Sequence, residues 1–180
     1  MKIFNILKMK EVAAKSITTD WLKNTREVAT SKSTQAAQPI EYEKLPSIPL
    51  KYMQGTLEEP EILVVKQIQS FHPANKPEKT PVGEIEVIYS DCKRITQGKY
   101  NMWFGYKILN DELQAFMKDN GEGPEEKVEA IINDKGDTEV FTLRNIDGQT
   151  YVIAMCGETT PKKGSKNRPA KIFRVFLPPT

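Results

Sequence analysis

Residues 99–121, KYNMWFGYKILNDELQAFMKDNG, decide the fold predicted for this chain, because a strand pattern gives way to a helical one within them. Residues 99–108 are predicted to form a strand, in which side chains alternate between two faces. The apolar face holds Tyr100, Met102, Phe104, Tyr106 and Ile108, and the polar face holds Lys99, Asn101, Trp103, Gly105 and Lys107. The first face is the one expected to meet a core.

A helix is predicted directly after this strand, over residues 110–120. Asn110 is a favourable N-cap, and two acidic residues follow it where the helix dipole favours them. Gly121 is a typical residue to end a helix. The helix has one apolar stripe, which consists of Leu113, Phe116 and Met117.

Six further stretches have the β-branched content or the alternation that is typical of strands. They are residues 61–69, 83–90, 127–133, 138–145, 150–156 and 171–177. Lys-Gly and Asp-Gly turns predict that 127–133 pairs with 138–145, and 138–145 with 150–156, as two hairpins. The order β-β-β-α-β-β-β-β indicates a mainly β fold with one inserted helix, either a small OB-like antiparallel barrel or a β-sandwich.

The chain is predicted to divide into three parts. Residues 1–38 form a basic helical arm with a polar linker, and residues 39–60 form a Pro-rich extended strap. Residues 61–180 form a single β-rich domain, with the helix at 110–120 and a basic loop at 159–171. Two alternatives stay open for the strap, which can lie across this chain's own core or dock on a neighbouring subunit.

Charge is strongly segregated along the 180 residues, although the net charge is only +2. Residues 1–32 carry a net +4, residues 110–139 a net −7 and residues 158–180 a net +5. Basic ends of this kind attract polyanions or acidic partner surfaces. No apolar run is long enough to cross a bilayer, so no membrane partner is expected.

The two cysteines, Cys92 and Cys156, lie far apart and have no CxxC spacing. This pattern favours the cytoplasm or another reducing compartment, and a virion or an organelle also fits it.

Trp103 lies between Lys99 and Lys107, four residues from each, on the polar face of the predicted strand. Proteins that bind single-stranded nucleic acids use this combination, in which bases stack on an aromatic ring for about 1–3 kcal/mol each and lysines contact phosphates. Gly105 would allow a base to approach closely, and a one-residue shift in register would give the stacking role to Tyr106 or Tyr100. The alternative is that the arm or the acidic helix covers the indole.

The basic loop and the last strand supply further candidate phosphate contacts. The predicted nucleic-acid-binding residues, beyond those of the aromatic strand, are Arg144, Lys162, Lys163, Lys166, Arg168, Lys171 and Arg174. An ordinary solvated loop, or a loop paired with the acidic stretch of a neighbouring copy, explains the same residues.

The sequence offers few candidate catalytic residues. His72 is the single histidine, and no spacing argues that it activates Cys92. No structural zinc site, P-loop or cofactor is predicted. Glu84, Glu86 and Asp91 form the one candidate for holding Mg²⁺ in a metal-dependent nuclease.

The sequence therefore favours a non-catalytic protein that binds single-stranded DNA or RNA. The main alternative is a structural or assembly protein of a virion, filament or larger complex. In that case residues 1–60 would dock on neighbouring subunits in a homo-oligomer.

Overall fold

A computed structural model describes residues 6, 8–12, 44–73, 79–105, 107–131, 136–161 and 168–180. The strands are β1 (Glu61–His72), β2 (Val82–Ser90), β3 (Gly98–Trp103), β4 (Glu122–Ile131), β5 (Thr138–Asn145), β6 (Thr150–Glu158) and β7 (Lys171–Phe176), with a helix at Lys107–Asn120 between β3 and β4. The predicted mainly β fold with one inserted helix is therefore confirmed, as is the predicted order of these elements.

The strands form two antiparallel sheets, and these are not joined into a barrel. One sheet has five strands in the order β3-β2-β1-β6-β7, and the other is the β4-β5 pair. The barrel alternative is wrong because other parts of the chain occupy the two edges of the large sheet. At the β3 edge, Asn101 exchanges backbone hydrogen bonds of 2.9 Å with Pro46 and Ile48. At the β7 edge, the Glu112 carboxylate of the helix accepts the Val175 N–H at 3.3 Å. At each edge, other parts of the chain thus occupy backbone groups of one residue, which hinders pairing with other chains there.

The predicted hairpin between β5 and β6 is wrong, because the two strands belong to different sheets. The turn between them binds the backbone of β1 instead: Gln67 donates to the Gln149 carbonyl at 2.8 Å and accepts from Gly148 at 2.8 Å. Ile146, which is 1 % exposed, holds this turn in the core. The Asp-Gly pair does make a turn, with Gly148 at a φ of 75°, but the turn carries the chain from one sheet to the other.

The prediction that residues 99–108 form one strand is wrong in its second half. The strand ends at Trp103, Gly105 donates back to the Trp103 carbonyl at 2.7 Å, and the helix begins at Lys107. Asn110 is therefore not the N-cap but a buried residue of the first helical turns. Leu109 explains the earlier start, because it extends the apolar stripe one turn towards the N-terminus.

One core joins the two sheets and the helix, and Phe104 packs between them. Its ring is 1 % exposed, and its centroid is 4.4 Å from that of Phe71 and 5.0 Å from that of Phe141. Gly121 closes the helix where space is short, since a Cβ there would lie 2.6 Å from that of Arg144. A smaller apolar cluster lies on the opposite face of the large sheet and contains Met9 from the N-terminal helical residues.

The described part of the Pro-rich strap, residues 44–60, packs on this chain's own core. Ile48, Leu50 and Met53 all belong to the main apolar cluster. Of the arm predicted at 1–38, the structure describes residues 6 and 8–12, which are helical. The predicted polar linker lies outside the described residues.

Candidate nucleic-acid interface

The outer face of β3 carries the candidate stacking surface. Lys99 is exposed, Trp103 is partly exposed, and Asn101 between them is 2 % exposed. Asn101 is buried because its side-chain amide donates to the Leu45 carbonyl at 3.3 Å, under the strap. The predicted polar face therefore exists, but the strap crosses its middle.

Trp103 lies at the end of β3, opposite Val82 in the pairing with β2. The Lys79 ammonium is 5.5 Å from the centre of the indole ring, which is a cation–π distance. Gly105, two residues further along the chain, is exposed, and a Cβ there would meet no heavy atom within 4 Å. A cation thus lies over one face of the indole, and open space lies two residues along the chain at Gly105.

Lys99 is engaged with a buried carboxylate. Its ammonium lies 3.0 Å from Oε1 of Glu84, whose side chain is 3 % exposed while that of Lys99 is 55 % exposed. The other oxygen, Oε2 of Glu84, is buried and has no hydrogen-bond partner in the described structure. A buried carboxylate needs a counter-charge, and Lys99 provides it for Glu84. A phosphate would therefore compete with Glu84 for this lysine.

Three of the other predicted cations are held by this chain's own groups. Arg144 donates to the carbonyls of Lys118 and Gly123 at 2.7 and 3.1 Å, and so caps the helix C-terminus. Lys171 donates to the Met53 carbonyl at 2.6 Å. The third, Arg174, pairs with Glu112 of the helix at 2.5 Å.

The remaining predicted contacts differ in what the structure shows of them. Lys107 and Arg168 are exposed, and neither pairs with a carboxylate among the described residues. The residues that lie outside the described ranges are Tyr106, Lys162, Lys163 and Lys166.

The two halves of the predicted surface do not meet on the sheet. Trp103 belongs to β3, and Lys171 and Arg174 belong to β7, at the opposite edge. Four strand spacings of about 4.8 Å separate these edges by roughly 19 Å. The structure therefore places the aromatic strand and the cations of β7 on different sides of the molecule.

A second aromatic and basic cluster was not predicted from the sequence. Tyr52 is 39 % exposed, with the Lys51 ammonium 5.0 Å and the Arg94 guanidinium carbon 4.7 Å from the centre of its ring. Neither cation pairs with a carboxylate among the described residues. The pair Lys51-Tyr52 was visible in the sequence, but the approach of Arg94 from the β2–β3 turn was not.

The candidate Mg²⁺ carboxylates do not converge. Glu84 and Asp91 are seven positions apart along extended chain, which corresponds to about 20 Å. The Asp91 carboxylate already has two other partners, since it accepts the Ile62 N–H at 3.1 Å and pairs with the Lys10 ammonium at 3.0 Å. Within the described ranges, no three His, Cys, Asp or Glu side chains gather closely enough to hold a metal ion.

His72 and Cys92 also lie apart, at opposite ends of β1. Asp91, next to Cys92, donates its N–H to Ile62 near the first residue of β1, whereas His72 is the last. The ten steps of strand from Ile62 to His72 span roughly 30 Å. Both cysteines are buried and unbridged, and burial raises the pKa of the Cys156 thiol to about 11, so this thiol stays protonated at neutral pH.

The chain matches no protein-family model, and no curated protein or solved structure shows significant similarity to it. Among the described residues, no helix has the length and apolar content that crossing a membrane requires.

Proposed function

We propose that this protein binds single-stranded nucleic acid, with Trp103 as a platform on which a base stacks. The observation that carries the proposal is the partly exposed indole at the end of an edge strand, with Lys79 at 5.5 Å and open space beside Gly105. Base–aromatic stacking tolerates any sequence, because every base presents a flat face to the ring.

The charge distribution supports a polyanionic ligand on the β3 side of the molecule. Lys93, in the turn before β3, and Lys107, just after it, are both exposed and have no carboxylate partner in the described ranges. Apart from Glu86, which is exposed opposite Lys99, acidic residues concentrate on the helix and on β4, where Glu122, Glu125, Glu126 and Glu129 are all exposed. A phosphate chain would therefore be attracted to the β3 side and repelled from the β4-β5 pair.

The covered edge of β3 restricts how a strand can bind. Because Pro46 and Ile48 already take the backbone groups of Asn101, an incoming chain cannot add to the sheet there through main-chain hydrogen bonds. Contacts must come from side chains, with rings for bases and ammonium groups for phosphates. This arrangement favours a flexible single strand over a duplex, whose bases are already stacked.

Fluorescence anisotropy of labelled oligonucleotides tests the proposal. We expect tight binding to single strands and weaker binding to a duplex of equal length. If four to six phosphates are contacted, the slope of log K against log salt should be about −3 to −4, or roughly a 50- to 250-fold loss of affinity between about 50 and 200 mM salt. Absence of binding at the lowest salt concentration would contradict the proposed function.

A role in assembly is the second proposal, and the free edge of β4 favours it. Among the described strands β4 pairs only with β5, and the outer face of this hairpin exposes Ile131 and Val140 at 38 % and 49 %. The glutamates of β4 complement the basic loop at 159–171 of a neighbouring copy. Such a contact joins one surface of a copy to a different surface of the next copy. Each added copy leaves a free surface, so further copies can add in the same way.

Light scattering across a salt series tests this assembly. We expect masses above that of one chain at low salt and a single chain at high salt, because exposed ion pairs are screened. The variant Glu125→Lys/Glu126→Lys should shift the equilibrium towards the single chain. A single chain at every salt and protein concentration would exclude the contact.

A further inference from the structure

The short turn that carries Tyr52 is anchored in the core. It ends a single 3-10 turn, Leu50–Tyr52, and both Leu50 and Met53 are buried in the main core, at 2 % and 0 % exposure. The ring itself is 39 % exposed. Because the backbone of this turn is anchored, the entropic cost of ordering the ring on a ligand is lower than for a ring on a free loop.

Arg94 is fixed in a similar way from the β2–β3 turn. Cys92 and Ile95 are 4 % and 3 % exposed, and Ile95 donates its N–H to the Cys92 carbonyl at 3.0 Å. Arg94, between them in sequence, therefore projects from an anchored turn. Its guanidinium carbon lies 4.7 Å from the centre of the Tyr52 ring.

The chemistry of this cluster suits a phosphodiester. A guanidinium that lies over a ring keeps its N–H groups at its rim, where they can bind two phosphate oxygens together. Lys51 adds a second cation, an ammonium group 5.0 Å from the centre of the same ring. Neither cation has a carboxylate partner within the described ranges, so binding a phosphate breaks no ion pair there.

We propose that Tyr52, Lys51 and Arg94 form a second nucleotide-binding contact, in which Lys51 and Arg94 bind a phosphate and Tyr52 packs against the adjoining base. This inference rests on the proposed function. The cluster lies by the turn that precedes β3, whereas Trp103 ends that strand. The six residues of β3 span roughly 17 Å, so one single strand that follows this edge reaches both contacts.

The test compares two variants that remove the same charge from different sides of the molecule. Lys51→Gln/Arg94→Gln removes the proposed phosphate contacts, and Lys118→Gln/Lys127→Gln removes two exposed lysines from the acidic side. For a thymidine oligomer of twelve nucleotides, the first variant should flatten the salt slope by about 0.7, because one phosphate contact is lost. If wild type and variant bind equally at 1 M salt, the variant should bind roughly fivefold more weakly than wild type at 0.1 M. The second variant should match the wild type.

The separate contribution of the ring is measured with Tyr52→Ala, which should weaken binding without changing the salt slope, since it removes no charge. Thermal unfolding of each variant shows whether the turn has stayed folded. If wild type binds the oligomer but the Lys51→Gln/Arg94→Gln variant matches its control, the second contact is wrong while the proposed function stands. If wild type binds no oligomer, both fail. Displacement of the oligomer by poly-glutamate at equal charge would show that the cluster binds acidic protein, which also overturns the proposal.

Discussion

Replacing Phe104 with alanine is expected to lower the free energy of unfolding by about 3–5 kcal/mol, the range for a large aromatic side chain removed from a packed core. The ring is 1 % exposed and lies against Phe71 and Phe141, on two different strands. It therefore joins the large sheet to the β4-β5 hairpin at the point where the chain leaves β3. Because a domain is stable by only about 5–15 kcal/mol, the variant should lose a large share of its stability.

Urea unfolding followed by circular dichroism measures this loss. Phe104→Leu should cost much less, because it keeps most of the buried apolar volume. Lys107→Ala, three residues along the chain at an exposed position, should change stability by no more than about 0.5 kcal/mol. A loss below about 1 kcal/mol for Phe104→Ala would mean that the ring is not packed as described.

The sequence predicted the strands well where alternation and turn residues agree. The bounds of β5, residues 138–145, were predicted without error, and Met102 and Phe104 are buried as the alternation required. The prediction failed where two patterns overlap. From Tyr106 to Leu109 the residues are equally acceptable in a strand and in a first helical turn, and only the core position of Leu109 decides between them.

Pairing between strands was harder to predict, because it depends on contacts between distant residues. Nothing in the sequence near Asp147 and Gly148 shows that their turn would bind Gln67 instead of closing a hairpin. The same limit applies to the candidate site. Trp103 was found from its neighbours in sequence, whereas the partners Lys79 and Glu84 approach β3 from other segments.

Replacing Trp103 with alanine should weaken the binding of single-stranded oligonucleotides by about 1–3 kcal/mol, or roughly 5- to 150-fold, because one stacked base is lost. The salt slope should stay unchanged, since no cation is removed. Stability should fall only modestly, because the indole is partly exposed at the end of an edge strand. A loss of affinity at constant slope thus separates stacking from phosphate binding.

Two further variants identify the role of the ring in this binding. Trp103→Phe keeps a flat aromatic face and should retain most of the affinity, while Trp103→Leu keeps apolar bulk without that face and should resemble the alanine variant. The chain has two tryptophans, so quenching is measured in a Trp21→Phe background, where Trp103 is the only indole that can respond. Two results together would show that no base stacks on this ring. Trp103→Ala would bind oligonucleotides as tightly as wild type, and the Trp21→Phe protein would show no quenching of Trp103 fluorescence on binding. Any binding would then have to come from the cations of the β3 side alone, with a salt dependence as steep as before and no preference for single strands.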